Sequence, residues 1–151
     1  MVDDAALQYL SERHCSTQWR DFLEALSAEL SEQLGEEGML ALMTSVGGRF
    51  AAQFSPGSCV TLEELERAIA QIWLDIDWGW TSIHDAGEAL LIRHYCAPLS
   101  SAQNGTVHWA AVFLQGAYQH WFQSLGSSDT LKVKALSRFD ATGSIDFRFG
   151  R

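Results

Sequence analysis

The chain has 151 residues and a mass of 16.8 kDa, which fits a single domain spanning 1–151 that can bury a core without disulfide or metal staples. With 47% hydrophobic and 19% charged residues it is too apolar for a disordered chain. The 19 acidic side chains outnumber the 10 basic ones, for a net charge of −9, so nucleic acid and anionic membrane surfaces are disfavoured as partners.

A short segment around Ala5–Leu10 opens the chain, and Ser16 is placed to cap a helix running to about Leu34. Trp19, Phe22, Leu23, Leu26 and Leu30 recur at three- and four-residue spacing and form one apolar stripe on it. Gly35 stops this helix, and Glu36-Glu37 suit the positive end of a following one that reaches Phe54. Gly47-Gly48 lie in its middle, where glycine costs about 1 kcal/mol each relative to alanine, which predicts a kink or a close backbone contact. After the Ser55-Pro56-Gly57-Ser58 break, Thr61-Leu62-Glu63-Glu64 reads as a capping box, with Val60 and Leu65 at the positions of a hydrophobic staple. Leu65, Ile69, Ile72 and Trp73 are the buried stripe of the helix it starts, ending near Asp75.

From Trp78 the texture changes. Trp78–Asp85 and Ala89–Cys96 predict a hairpin; a two-residue Ala86-Gly87 turn would set Trp80 opposite Arg93 and Trp78 opposite Tyr95. Alternation then puts Trp78, Trp80, Ser82, His84, Leu91, Arg93 and Tyr95 on one face, and Thr81, Ile83, Leu90, Ile92, His94 and Cys96 on the other. Both faces carry large apolar groups, so both should be covered, by helices or by a second subunit. A polar loop from Pro98 to Gly105 leads to Thr106, a cap for a helix Val107–Leu125. Its stripe, widened by Trp109, Phe113 and Phe122, is broader than one partner layer requires. Thr130–Phe139 and Ser144–Phe149 form a second hairpin, with one wet face, around Asp140-Ala141-Thr142-Gly143. The order predicts an α+β fold: N-terminal helices, then an antiparallel sheet of two hairpins with a helix between them.

Little in this pattern points to catalysis. Cys15, Cys59 and Cys96 form no CxxC pair and read as free thiols of a reducing compartment. Met1-Val2-Asp3-Asp4 is acidic where a secretory signal is basic, and no apolar run approaches the roughly 20 residues of a bilayer span. The histidines are not spaced as metal ligands: His84 and His94 fall on opposite faces of their hairpin, and His108 and His120 are twelve apart. No metal or cofactor is therefore expected. Asp75 and Asp77 beside Trp78 have the look of a glycosidase subsite, but acids ending a helix in solvent look the same. Asn104-Gly105-Thr106 is read as a turn and cap rather than a glycosylation site. The six tryptophans are the stronger signal, since indole is favoured at buried interfaces and as a platform for the apolar faces of sugars. Trp78, Trp80, Trp109, Phe113 and Trp121 are candidates for subunit contacts, the alternative being that all five fill one chain's core. An assembly or binding protein is expected, not an enzyme.

Ser45-Val46-Gly47-Gly48-Arg49-Phe50-Ala51, the Ser55-Pro56 break, Asp77-Trp78-Gly79-Trp80, Arg93-His94, Pro98-Leu99 and Trp109-Ala110-Ala111-Val112-Phe113-Leu114-Gln115-Gly116-Ala117-Tyr118 with Trp121 together resemble the D-subunit family of bacterial cellulose synthase operons. The resemblance covers about two thirds of the chain. It implies a non-catalytic accessory subunit that aids export and crystalline assembly of β-1,4-glucan. It also implies an octamer, a tetramer of dimers, whose passageways are lined in part by the N-terminal segment. Carried over by segment, Asp3, Asp4, Gln8 and Tyr9 would be the glucan-contacting residues. The implied partners are the catalytic and accessory synthase subunits and the glucan itself, without membrane insertion. The resemblance leaves both the cytoplasmic side of the synthase complex and the periplasm open, and the unpaired cysteines with the lack of a signal-like start favour the cytoplasmic side, the periplasm being the alternative. A competing expectation is a small-molecule sensor or adaptor domain with an apolar cavity between helices and sheet.

Overall fold

A computed structural model describes residues 4–98 and 108–151. The elements run α1 (Asp4–His14), α2 (Thr17–Ala51), α3 (Leu62–Asp75), β1 (Trp80–Asp85), β2 (Leu90–Tyr95), α4 (His108–Ser124), β3 (Lys132–Ala135) and β4 (Ile145–Gly150). The strands form one antiparallel sheet of order β1-β2-β4-β3, so the chain has the α+β architecture its pattern predicts. Most of the expected polar loop and its Thr106 cap fall at 99–107, outside the described residues.

The two helices expected on either side of Gly35 are both present and run on from each other as α2, separated where Gly35 leaves helical geometry at φ 70° and ψ 174°. Ser16 stands at the N-cap, yet its side chain makes no capping hydrogen bond. The capping box of α3 is complete: the Glu64 N–H donates to Thr61 Oγ1 at 3.1 Å, and the Thr61 N–H donates to Glu64 Oε2 at 3.3 Å. Val60 donates to the same carboxylate oxygen at 2.7 Å, and these backbone donors hold the Glu64 carboxyl below the usual carboxylate range. The expected Val60–Leu65 staple does not form. Val60 is 91% exposed, because Glu64 engages its amide on an extended approach that leaves its side chain in solvent. Thr61→Ala should lower stability by about 0.5–2 kcal/mol through loss of this cap, read as a lower urea midpoint at unchanged slope.

Helix α4 packs on two sides, which accounts for its broad apolar surface. One side meets α2 so closely that a Cβ built on Gly47 would strike the Phe113 carbonyl, and one on Gly116 the Thr44 carbonyl. The other side meets the inner face of the sheet, through Tyr118 on Phe147 at 5.7 Å and Phe122 stacked on Phe149 at 4.3 Å. Trp121 ties the layers together by donating its indole N–H to the carbonyls of Phe54 (2.7 Å) and Ala51 (3.1 Å) at the end of α2. The space between helices and sheet, where a sensor-type cavity would lie, is filled by Trp73, Leu114, Tyr118, Trp121 and Phe147, all fully buried.

The first hairpin keeps its predicted faces but not its predicted register. Trp80 pairs with Tyr95, Ser82 with Arg93 and Asp85 with Leu90, so four residues, 86–89, make the turn. The Asp85 carboxylate accepts the Gly87 N–H at 2.8 Å, and the Ala86 N–H donates to the Ala89 carbonyl at 2.9 Å. A slip of two residues preserves parity, which is why the faces survive it. Trp78 is the exception. Positive φ at Asp77 (58°) and Gly79 (84°) interrupts the alternation, and Trp78 turns inward onto Phe50, Trp73 and Phe113. A side chain at Gly79 would also collide with the Tyr95 carbonyl.

Side chains engage three outward amides of the two edge strands. Gln119 accepts from Val133 N–H at 2.7 Å, Gln115 from Ala135 N–H at 3.2 Å, and Glu66 of α3 from Ile83 N–H at 2.6 Å.

Candidate functional site

Under the hairpin lies a buried polar group. His94, fully enclosed, contacts the Trp78 carbonyl through Nε2 at 2.8 Å and the Tyr118 hydroxyl through Nδ1 at 2.7 Å. A carbonyl only accepts, so Nε2 carries the proton and Nδ1 accepts from the phenol. Burial lowers the His94 pKa to about 4, against the smaller opposing effect of the Trp78 carbonyl, and burial likewise pushes the Tyr118 phenol up. This arrangement locks the Trp78 turn to α4. It has no nucleophile or leaving-group position, and its chemistry is structural.

The outer face of the sheet is different. Trp80 stacks on Tyr95 with ring centres 5.0 Å apart and planes 9° apart, and Arg93 lies over the Tyr95 ring at 5.4 Å. Arg93 also bridges Asp146 and Asp140, each at 2.8 Å. Burial works against the Asp140 carboxylate, but hydrogen bonds from Thr142 and Ser144, with Arg93, hold its pKa below the usual range. Beside this cross-strand row a groove of about 420 Å³ opens among Ser82, His84, Leu91, Leu136 and Ser137. Trp80 is 42% and Leu136 56% exposed, so the described part of the chain leaves this face uncovered.

The predicted contact residues divide accordingly. Phe113 and Trp121 are buried in the chain's own core and Trp78 is half-buried against it, while Trp80 and, in part, Trp109 reach the surface. Of the N-terminal set, Asp3 lies outside the described residues. Asp4 opens α1, which also carries Gln8 and Tyr9; Tyr9 is exposed, accepts a hydrogen bond from Arg13 at 3.1 Å and lies under its guanidinium. Asp75 accepts from Gln71 at 2.6 Å, and Asp77 sits in the turn after α3; both are at the surface, the arrangement of acids ending a helix in solvent. The three cysteines are free, and burial followed by Asp140 pushes the Cys96 thiol up. Among the described residues no three His, Cys, Asp or Glu side chains are grouped to hold a metal ion, and no helix is long and apolar enough to cross a membrane.

Sequence reasoning missed the Arg93–Asp140–Asp146 cluster and the His94–Tyr118 pair. Strand alternation already sets His94 inward; the partners come from residues 24 to 53 positions away, which no local pattern reports. It also left the first stripe of α2 without a partner to cover it. Trp19 is 57% and Phe22 54% exposed, with Leu26 and Leu34 open beside them.

Comparison with known proteins follows the whole length of this architecture. The model of the cellulose synthase D-subunit family matches residues 5–150. Cellulose synthase operon protein D of Komagataeibacter xylinus is 33% identical over 106 residues, 68% of either chain, and that of Komagataeibacter sucrofermentans is similar to the same degree. Among solved structures, a trafficking protein particle complex subunit 3 from Naegleria fowleri, covalently bound to palmitic acid, is similar at a TM-score of 0.43 and 11% identity, over 99% of this chain and 98% of that one.

Proposed function

The chain belongs to the cellulose synthase D-subunit family, and on that premise we propose that it is a non-catalytic accessory subunit of cellulose synthesis that works as an oligomeric scaffold. The observation that carries this reading is the family match from residue 5 to residue 150. It is supported by the two apolar faces left open on a chain whose core is otherwise filled. The scaffold is an octamer, a tetramer of dimers, that guides β-1,4-glucan chains during export and crystalline assembly. Trp80 and Trp109, the members of the aromatic set that reach the surface, contact neighbouring subunits, whereas Trp78, Phe113 and Trp121 hold the shape of each subunit. Asp3, Asp4, Gln8 and Tyr9, at the start of the chain, face the glucan. The partners are the catalytic and accessory synthase subunits, met on the cytoplasmic side of the membrane.

Light scattering after size exclusion tests the scaffold: eight chains of 16.8 kDa give about 134 kDa. Trp80→Ala should shift the protein to a smaller species without loss of helical signal. A cellulose-producing strain lacking its own operon protein D should regain crystalline cellulose when this chain is supplied. A wild-type monomer, or failure to restore cellulose by a well-expressed chain, contradicts the proposal.

A further inference from the structure

We infer that the first half of α2 in one copy docks onto the outer face of the sheet in a second copy, head to tail; the inference rests on the reading of the chain as a self-assembling subunit. Each of these faces carries exposed apolar side chains and is open among the described residues. On α2, Trp19, Phe22 and Leu26 form the exposed stripe, with Trp19 and Phe22 packed edge to face at 5.7 Å. On the sheet, Trp80, Leu91 and Leu136 are exposed around the groove.

Charge decides what covers them. The same half-helix carries the exposed acids Asp21, Glu29 and Glu32, with Glu36 and Glu37 just beyond Gly35. Strand alternation places both lysines of the chain, Lys132 and Lys134, on the outer sheet face with Arg148, since Val133, Phe147 and Phe149 point inward. Arg93 on that face is already engaged by Asp140 and Asp146, and Arg148 donates to the Arg151 carbonyl at 2.6 Å. Among the described residues no Asp or Glu carboxylate offsets the charge of Lys132, Lys134 or Arg148, so these three cations are left to meet an acidic partner. Stripe against stripe would bring acids to acids, and sheet against sheet would bring Lys134 and Arg148 toward their own copies. Stripe against sheet pairs the charges while it removes both apolar faces from water, so attraction and selectivity favour the same arrangement. The shapes agree as well, a projecting Trp19–Phe22 pair against a groove. An interface built from two different faces uses each of them once per chain, and it closes a ring when its rotation divides a full turn evenly.

The test measures native mass of the full chain by light scattering, with circular dichroism as the check on folding. One double variant removes the stripe (Trp19→Ser, Phe22→Ser) and a second reverses the sheet charge (Lys134→Glu, Arg148→Glu). Each alone should give a smaller species than wild type. Their mixture should give a one-to-one complex of the two small species, because one intact stripe then meets one intact sheet face. Adding Glu29→Lys and Glu32→Lys to the sheet variant should restore the larger species. If the sheet variant loses helical signal, Leu136→Glu replaces it. Either variant keeping the wild-type mass overturns the head-to-tail interface while leaving the scaffold reading intact, and so does failure of the mixture to combine. A wild-type monomer instead removes the scaffold reading itself.

Discussion

Gly47→Ala should lower the stability of the chain by about 3 kcal/mol, while Gly48→Ala, one residue on, should raise it by about 0.5–1 kcal/mol. The two glycines share a helix and differ only in what they face. A Cβ at Gly48 has nothing within 4 Å, so alanine there gains helix propensity at no steric cost. A Cβ at Gly47 lands on the carbonyl of Phe113, with the Ala117 amide nitrogen 2.9 Å away. These are backbone atoms of a buried helix and cannot swing aside as a side chain would, so α2 and α4 must separate and the core between them loosens. Gly116 makes the reciprocal contact against Thr44. Gly116→Ala should therefore cost a similar amount, and the double variant less than the sum, since both widen the same gap. At roughly 2–4 °C per kcal/mol for a domain of this size, Gly47→Ala should melt about 6–12 °C below wild type. An unchanged melting temperature would show that the two helices do not pack at this distance.

Acid should unfold the chain in a window set by His94. Its pKa is about 4 in the folded chain and 6.5 when free of the fold. Above pH 6.5 the imidazole is neutral in both states and folding is not penalised. As the pH falls below 6.5 the unfolded chain takes up a proton that the folded chain refuses, and stability drops by about 1.4 kcal/mol per unit until the folded pKa is reached. The expected loss between pH 6.5 and pH 4 is about 3 kcal/mol. Asp140, whose pKa is lowered from 3.8, weakens the fold only at still lower pH, so the two effects separate. Urea midpoints at pH 7 and pH 4.5 should differ markedly for wild type and much less for His94→Gln, which also begins from a lower midpoint. Equal pH dependence in the two proteins would count against a neutral, buried His94.

Much of this fold was legible along the chain because its signals are local. Thr61 and Glu64 sit three apart and cap one helix end; Gly35 breaks a helix by its own backbone freedom; alternation puts His94 inside and Trp80 outside. What was illegible depends on chain segments that are distant in sequence. Trp78 reads as a strand residue on the Trp80 face until the positive φ of Asp77 and Gly79 turns it inward. The hairpin register depended on a four-residue turn held by the Asp85 carboxylate, which a short Ala-Gly signal concealed. Which of the large aromatic residues reach the surface was illegible for the same reason. Large aromatic side chains mark burial, but only the fold decides that Trp121 is buried by its own chain and Trp80 is left at the surface.

The glutamines of α4 and Glu66 of α3 also bear on how such a chain behaves when crowded. An open sheet invites the edge of a neighbouring sheet, and that mode of growth has no natural end. Here the amides of Ile83, Val133 and Ala135 are already engaged by side chains of the same molecule. In the proposed scaffold, contact between copies is thereby kept off the rims, where addition could run on as fibrils, and left to the faces, where a head-to-tail contact ends once a ring closes. With such a ring closed, raising the protein concentration should populate particles of one size, so that the dimensions of the proposed assembly would be a property of the sequence and not of the amount of protein a cell makes.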